Sequence, residues 1–143
     1  MPHDERQKTH RFDGKLQHIF QEFLSDWVFS KRLTEQEMMD RYFTPDFSTC
    51  IDGIELTRED FSRRLARMRR EAVVEGQEFI EMMETDNKLF NMHTTAGMSL
   101  TSGKPFETLV IALFVFQGDK IQRGVLNSVT KGDPEDADMA SRA

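Results

Sequence analysis

The sequence predicts an α+β fold in which a curved antiparallel sheet packs against three N-terminal helices and forms a cone. In the first half of the chain, apolar residues recur at steps of three and four, which is typical of helices with one buried face. After residue 73 the pattern changes to extended segments separated by short turn signals. Short connections require antiparallel neighbours, so the second half is predicted to be a meander.

The chain of 143 residues is long enough for one domain with a single core. We divide it into a flexible arm (1–11), a folded domain (12–130) and a disordered acidic tail (131–143). The arm is charged, and the tail has too few apolar residues to pack. With twelve Phe and nine Met, the interior of the folded domain should be strongly apolar.

Composition disfavours several classes of function. The net charge of −6 argues against a nucleic-acid partner, and the single cysteine excludes an intrachain disulfide or a multi-cysteine metal site. Neither a signal peptide nor a membrane span is expected, so we predict a cytoplasmic protein. Asp46, Asp52, Glu78 and Glu81 match no compact ligand motif, so we expect neither a metal nor a cofactor.

Three helices are predicted before residue 73. The first covers roughly 12–31, the second covers about 35–42, and the third follows residue 57. Capping boxes mark the second and third starts, Thr34 to Glu37 and Thr57 to Asp60. The first helix has an apolar stripe formed by Phe12, Leu16, Ile19, Phe20, Phe23 and Trp27.

Five strands are predicted. A short one spans Phe47 to Asp52 and ends at Gly53. The four meander strands should cover about 74–85, 88–100, 105–117 and 120–130, with turns at Asp86-Asn87, Ser102-Gly103 and Gly118-Asp119.

The meander strands indicate what covers each face of the sheet. Asn91, His93, Thr95 and Ser99 share the face that the helices should enclose. The run 109–116 is apolar at every position, which predicts cover on both faces. A second subunit is the simplest cover for the outer face, so we expect a homodimer. The outer residues of the strand 88–100 are Phe90, Met92, Ala96, Met98 and Leu100.

The order of these elements resembles the nuclear transport factor 2-like superfamily over roughly 12–130. Three stretches carry the local resemblance: Tyr42-Phe43-Thr44-Pro45-Asp46-Phe47, Gly53 with Arg58-Glu59-Asp60-Phe61, and Phe114-Val115-Phe116-Gln117-Gly118-Asp119-Lys120-Ile121. The resemblance, which includes SnoaL-like and ketosteroid isomerase-like domains, implies a cone with a ligand between the concave sheet and the helices. It also implies frequent dimers through the convex face.

Two branches of this superfamily imply different catalytic residues. At the steroid isomerase positions the chain has Trp27 for the Tyr, Ile51 followed by Asp52 for the base, and Ala112 for the second Asp, which disfavours that chemistry. The stretches Gln77-Glu78-Phe79-Ile80 and Asn87-Lys88-Leu89-Phe90-Asn91-Met92-His93 resemble scytalone dehydratase-like domains. There the resemblance implies that His93 is kept and that Glu78 replaces a His.

Two functions are compatible with the sequence. One is a cofactor-free lyase, isomerase or cyclase for a hydrophobic, ring-containing substrate, in which His93 moves a proton and Glu78 orients it. The other is a non-catalytic module that binds a small apolar or aromatic ligand, or a dimeric adaptor. The predicted pocket is lined by Phe23, Trp27, Phe47, Asn91, Thr95, Ala112 and Phe114.

Arginines crowd the third helix. They could form an anion or nucleic-acid patch, or a solvated face paired with neighbouring carboxylates. The acidic chain as a whole favours the solvated face. These arginines are Arg58, Arg63, Arg64, Arg67, Arg69 and Arg70.

Overall fold

The computed structural model of the protein describes residues 12–30 and 32–139. The arm predicted for 1–11 lies outside the described residues, and so do 140–143. The helices are α1 (Lys15–Ser25), α2 (Glu35–Tyr42) and α3 (Arg58–Glu71), with a π-helical segment at Asp26–Ser30 and a 3₁₀ turn at Pro134–Asp136. The strands are β1 (Phe43–Ile51), β2 (Ile54–Thr57), β3 (Ala72–Thr85), β4 (Lys88–Ser99), β5 (Pro105–Gln117) and β6 (Lys120–Lys131).

The helix starts depend on side chains that satisfy free backbone N–H groups. Both predicted capping boxes form: Thr34 Oγ1 accepts from Glu37 N at 3.1 Å, and Thr57 Oγ1 accepts from Asp60 N at 3.1 Å. The first helix has no cap of its own. Instead Glu84 of β3 accepts from the backbone of Gln17 at 3.2 Å, which attaches this helix end to the sheet.

The first helix is shorter than the predicted 12–31, because its last turn widens into the π-helical segment. Arg69 of α3 binds this segment from the side. Its guanidinium donates to the carbonyl oxygens of Asp26 at 3.0 Å and Trp27 at 2.9 Å. These contacts satisfy carbonyls that a regular helix would pair internally.

The sheet confirms the predicted fold class, with one difference in topology. Its six strands lie in the order β2-β1-β6-β5-β4-β3, and β3 to β6 form the predicted meander. The pair β1 and β6 is parallel, whereas a wholly antiparallel sheet was predicted. Sequence analysis also missed β2, a four-residue strand joined to β1 by a turn at Asp52 and Gly53, which both have positive φ.

The two faces of the sheet differ in burial. On β4 the predicted inward residues Asn91, His93, Thr95 and Ser99 are buried, at 0%, 5%, 9% and 1% exposed. On β5 the burial alternates, so the single chain covers only one face of the apolar run. Large apolar side chains remain exposed on the outer face, among them Ile111, Leu113, Val125 and Val129.

The core lies between the helices and the inner face of the sheet. Aromatic rings dominate it: Phe23 packs edge-on against Phe43 with centroids 5.1 Å apart, and Phe43 contacts Phe47 at 4.6 Å and Phe61 at 5.3 Å. These edge-to-face and tilted contacts join the first helix, β1 and α3 in one cluster. No helix within 12–30 or 32–139 is long and apolar enough to cross a membrane.

The segment after β6 differs from the disordered tail predicted for 131–143. The Asp136 carboxylate is fully buried and accepts from the hydroxyls of Ser99 and Ser102, each at 2.7 Å. Met139 packs against Phe106 with 2% of its surface exposed. The composition of the segment did not reveal these contacts, because one carboxylate and one methionine make them.

Candidate functional site

A cavity opens between the helices and the concave face of the sheet. Its empty space is about 730 Å³, including the part that is open to solvent at the mouth. The part of this space that the centres of water-sized spheres can occupy is about 60 Å³. Apolar side chains of α1, the π-helical segment, α3 and the sheet form most of the wall: Phe20, Phe23, Leu24, Trp27, Val28, Phe43, Phe61, Met68, Val74, Phe106, Val110, Phe114, Ile121 and Leu126.

His93 lies on the sheet wall of this cavity. Its ring is 5% exposed and packs against Phe20 and Phe79, with centroids 5.8 Å away in each case. Burial lowers the pKa of His93 to about 4, so the ring is neutral at pH 7. Its Nδ1 lies 2.8 Å from Asn91 Oδ1, and when Nδ1 carries the ring hydrogen it donates to this oxygen. In this tautomer Nε2 holds the lone pair, and it has no hydrogen-bond partner among the described residues.

Glu78 does not meet His93, contrary to our expectation. It lies opposite Thr94 in the β3–β4 register and its side chain is exposed on the outer face. Phe79 is the residue of β3 opposite His93. Because successive side chains of a strand point to opposite faces, the one-residue difference removes the carboxylate from the cavity.

Two polar groups beside His93 were missed by sequence analysis. Gln77 lines the cavity and its Nε2 donates to Thr95 Oγ1 at 3.3 Å. On β5, Thr108 also lines the cavity, and its hydroxyl is 2.9 Å from that of Thr130. Both residues lie on the inward face of their strands, and alternation counted from His93 through the correct register would have placed them there.

Arg64 is the one charged residue among the described residues that line the cavity. It is 6% exposed, and its guanidinium carbon lies 5.4 Å from the ring centroids of both Trp27 and Phe61. Burial lowers the pKa of Arg64 to about 10, while the negative charge of Asp52 acts in the opposite direction. A guanidinium at this distance from an aromatic ring is attracted to the face of the ring.

The arginines of α3 are therefore not all on a solvated face. Arg63, Arg67 and Arg69 do pair with carboxylates, as expected: with Glu59 at 3.1 Å, Glu71 at 2.9 Å and Glu35 at 2.6 Å. Arg64 differs because it occupies the inner stripe. A signal existed in the sequence, since residue 64 falls three after Phe61 and four before Met68, on the apolar face of the helix.

The other predicted pocket residues divide into two groups. Phe23, Trp27, Thr95 and Phe114 line the cavity. Phe47, Asn91 and Ala112 are buried in the core but do not line it. The indole Nε1–H of Trp27 donates to the Leu65 carbonyl at 3.1 Å, so its one donor is already used within the protein.

The two aspartates whose roles the sequence left open lie away from the cavity. Asp46 accepts from Thr44 at 2.8 Å and from Gln122 at 3.2 Å. Asp52 accepts from the backbone N–H and the hydroxyl of Ser128, both at 2.6 Å. Among the described residues no group of three or more His, Cys, Asp or Glu side chains is arranged to hold a metal ion.

A cone of three helices on a curved, unclosed sheet, with a cavity between them, is the nuclear transport factor 2-like fold. Structures that match this chain include ketosteroid isomerase-like, SnoaL-like and epoxide hydrolase proteins. No family model matches the sequence, and no curated protein matches it.

Three solved structures illustrate the likeness. One is a hypothetical protein of Catenulispora acidiphila with a ketosteroid isomerase-like fold, in complex with trimethylamine: TM-score 0.62, 16% identity, 76% of this chain and 82% of that chain covered. Another is an LEH-like epoxide hydrolase of M. tuberculosis, with a TM-score of 0.63 and 12% identity. The match covers 80% of this chain and 82% of that chain. A third is a de novo designed protein with a curved β-sheet, with a TM-score of 0.57 and 15% identity. The match covers 85% of this chain and 88% of that chain. At these identities the likeness extends to the fold alone.

Proposed function

We propose that this protein is a cofactor-free lyase, isomerase or cyclase whose substrate is a mostly apolar, ring-containing molecule. The observation that supports this proposal most directly is His93, a neutral base on the wall of an otherwise largely apolar cavity. The fold gives general support, since its structural relatives include an epoxide hydrolase.

In this mechanism Nε2 of His93 takes a proton from the substrate and returns it at another position. We assign the hydrogen of the neutral ring to Nδ1, where Asn91 Oδ1 accepts it at 2.8 Å, so that Nε2 is the base. Because burial disfavours the imidazolium, proton transfer requires negative charge to develop on the substrate close to the ring. A carbon acid next to a carbonyl group, which forms an enolate, meets this requirement.

A second function, binding without reaction, is favoured by a different observation. No carboxylate is among the described residues that line the cavity, so His93 lacks the acidic partner that commonly raises the basicity of a catalytic His. The lowered pKa of His93 also makes it a weak base. In this case the cavity would hold the ligand and the polar groups would only orient it.

Exchange of hydrogen for deuterium distinguishes the two functions without knowledge of the natural substrate. We would incubate the protein with 2-tetralone in D₂O and follow loss of the α-proton signals by NMR. The catalytic proposal expects faster exchange than in buffer, and a decrease of about 100-fold in the catalysed rate for His93→Gln, with binding retained. Glu78→Gln is the matched control and should exchange at the parent rate, because its side chain is on the outer face.

Each outcome has a clear reading. Binding of 2-tetralone with exchange no faster than in buffer supports the non-catalytic function. Accelerated exchange that is unchanged in His93→Gln would exclude His93 as the base.

We also propose that two copies of the chain associate through the outer face of the sheet. The strands β5 and β6 expose four large apolar side chains there: Ile111 is 40% exposed, Leu113 42%, Val125 46% and Val129 61%. Patches of this kind on a protein surface commonly mark sites of association.

A further inference from the structure

A row of four polar side chains crosses the inner face of the sheet. Gln77 of β3 lies opposite Thr95 of β4, and Thr95 lies opposite Thr108 of β5. Thr108 in turn lies opposite Thr130 of β6. The first three of these residues line the cavity. We call the four residues the polar row.

The cavity wall on both sides of the polar row is apolar, apart from His93. Toward one end of the strands the next lining residues are Val74 and Phe106, which both lie opposite Gly97. Toward the other end they are His93 and Val110, which lie opposite each other. Among the described residues, the polar side chains that the sheet contributes to the cavity are therefore His93 and members of the polar row.

The hydrogen bonds within the polar row leave donors for a ligand. A threonine hydroxyl has one hydrogen to donate and two lone pairs that accept. Thr95 Oγ1 accepts from Gln77 Nε2 at 3.3 Å, and its own hydrogen has no acceptor among the described residues. The hydroxyls of Thr108 and Thr130, 2.9 Å apart, share one hydrogen bond. When Thr130 is its donor, the hydrogen of Thr108 is also left for a ligand.

Thr95 and Thr108 are close enough to bind one ligand atom together. Residues directly opposite each other on antiparallel strands have Cβ atoms roughly 5 Å apart, so two short hydroxyls can donate to the same oxygen. His93 lies two residues before Thr95 on the same face of β4, which is about 7 Å along the strand. A carbonyl group and its α-carbon fit this interval, with the oxygen at the threonines and the α-carbon at His93 Nε2.

We propose that the hydroxyls of Thr95 and Thr108 bind the carbonyl oxygen of a ketone substrate and are further catalytic groups, an inference that rests on the proposed function. When His93 Nε2 takes the α-proton, the electron pair of the C–H bond forms the C=C bond of an enolate, and the π pair of the carbonyl moves to its oxygen. Two buried O–H donors stabilise the negative charge there. The imidazolium then returns the proton to carbon, and the carbonyl re-forms.

The carbonyl stretch of bound 2-tetralone reports these hydrogen bonds without any turnover. Hydrogen bonds to the oxygen weaken the C=O bond, so infrared difference spectra of the parent protein should show a lower frequency than the ketone has in an apolar solvent. Thr95→Val and Thr108→Val each remove one hydroxyl at nearly constant volume, and each should raise the frequency. Thr94→Val is the matched control and should leave it unchanged, because Thr94 faces the outer side of the same strand.

Exchange of the α-protons of 2-tetralone in D₂O tests the catalytic role. Each of the two cavity valine variants should lower the catalysed rate about tenfold or more. Both should bind tetralin, which has the same rings and no carbonyl, as tightly as the parent protein does. Thr95→Ser restores a hydroxyl at this position and should recover most of the rate.

The failures of this inference and of the proposed function are distinguishable. A carbonyl frequency in the parent protein that equals the value in apolar solvent overturns the inference, even if a variant fails to fold and even if exchange is catalysed. Exchange at the parent rate in both cavity valine variants overturns the catalytic role. A lowered frequency without accelerated exchange refutes the proposed function and retains the pair only as a carbonyl-binding site. If 2-tetralone does not bind at millimolar concentration, both proposals are wrong.

Discussion

His93 should make the stability of the protein depend on pH in the weakly acidic range. The groups that face its ring are Phe20, Phe79 and Asn91, and none of them carries a charge. Burial therefore lowers the pKa of His93 from 6.5 to about 4 without compensation from a neighbouring carboxylate. Between these two values the unfolded chain binds a proton that the folded chain does not.

The free energy of unfolding should be unaffected by His93 above its ordinary pKa, and should fall by up to roughly 3 kcal/mol as the pH decreases from 6.5 to about 4. Urea unfolding at about pH 7.5 and about pH 4.5 measures it. His93→Gln should show a much smaller decrease.

The control for this prediction is His18→Gln, since the His18 side chain is 72% exposed on α1. It should behave like the parent protein. The prediction is wrong if His93→Gln loses as much stability as the parent between the two pH values.

Arg64 shows how far single residues could be assigned from sequence. The apolar stripe of α3 was readable from Phe61, Leu65 and Met68, and Arg64 lies on it. We nevertheless assigned it with the other arginines to a solvated face, because the chain as a whole is acidic. Only the three-dimensional structure shows that Trp27 of another segment covers this side chain.

At the level of the elements, the contact between β3 and β4 depends on a residue with no side chain. A Cβ atom at Gly97 would lie 1.9 Å from the carbonyl oxygen of Val73, far closer than two atoms can approach. The obstructing atom belongs to the backbone, so rotation of a side chain cannot relieve the overlap. The strand pair can accept a larger residue only if it separates locally.

We therefore predict that Gly97→Ala destabilises the protein by roughly 2–3 kcal/mol, as measured by urea unfolding. Gly76→Ala is the matched control on the same strand pair, because a Cβ atom there would meet nothing within 4 Å. It should be neutral or slightly stabilising. Equal destabilisation by the two substitutions would contradict the steric explanation.

Most elements could be predicted from sequence, but the alignment between them could not. The capping boxes and turn residues define β5 as residues 105–117 and α2 as residues 35–42, as predicted. The predicted contact of Glu78 with His93 was wrong because it depends on the register of β3 against β4. This register includes shifts between Val74 and Gly76 and between Phe79 and Glu81. Such shifts depend on both strands and leave no clear pattern in either.

Only part of the cavity lining could be predicted, because the lining also depends on how the strands align with one another. Phe23 and Trp27, which belong to the strongly patterned first predicted helix, lie on the cavity wall. Gln77 and Thr108 were missed because polar residues in a strand carry no periodic signal of their own. Their positions follow only once each strand is aligned with His93.

At the level of the whole molecule, the exposed outer face predicts a dimer that a single charge can prevent. Leu113→Lys places an ammonium group among the exposed apolar side chains of β5 and β6. We expect the parent protein to have the molar mass of a dimer in multi-angle light scattering, and Leu113→Lys to have that of a monomer.

The matched control is Phe29→Lys, because Phe29 is a similarly exposed apolar residue, 48% exposed, in the π-helical segment of the helix layer. This variant should remain dimeric. A parent protein that is monomeric at micromolar concentration would overturn the proposal for the outer face.

The parallel pair of β1 and β6 has a consequence for the synthesis of the protein. Thr49 and Gly124, which meet in this pair, are 75 residues apart in the chain. When β1 leaves the ribosome, β2 is the only strand it can join, and its long partner has not yet been translated. The aromatic residues of the N-terminal half then stay exposed to solvent until the last hairpin has been translated. The pairing of this hairpin with β1 is therefore a late and slow step of folding. Chaperone demand in the cell should therefore be concentrated in the interval between these two events.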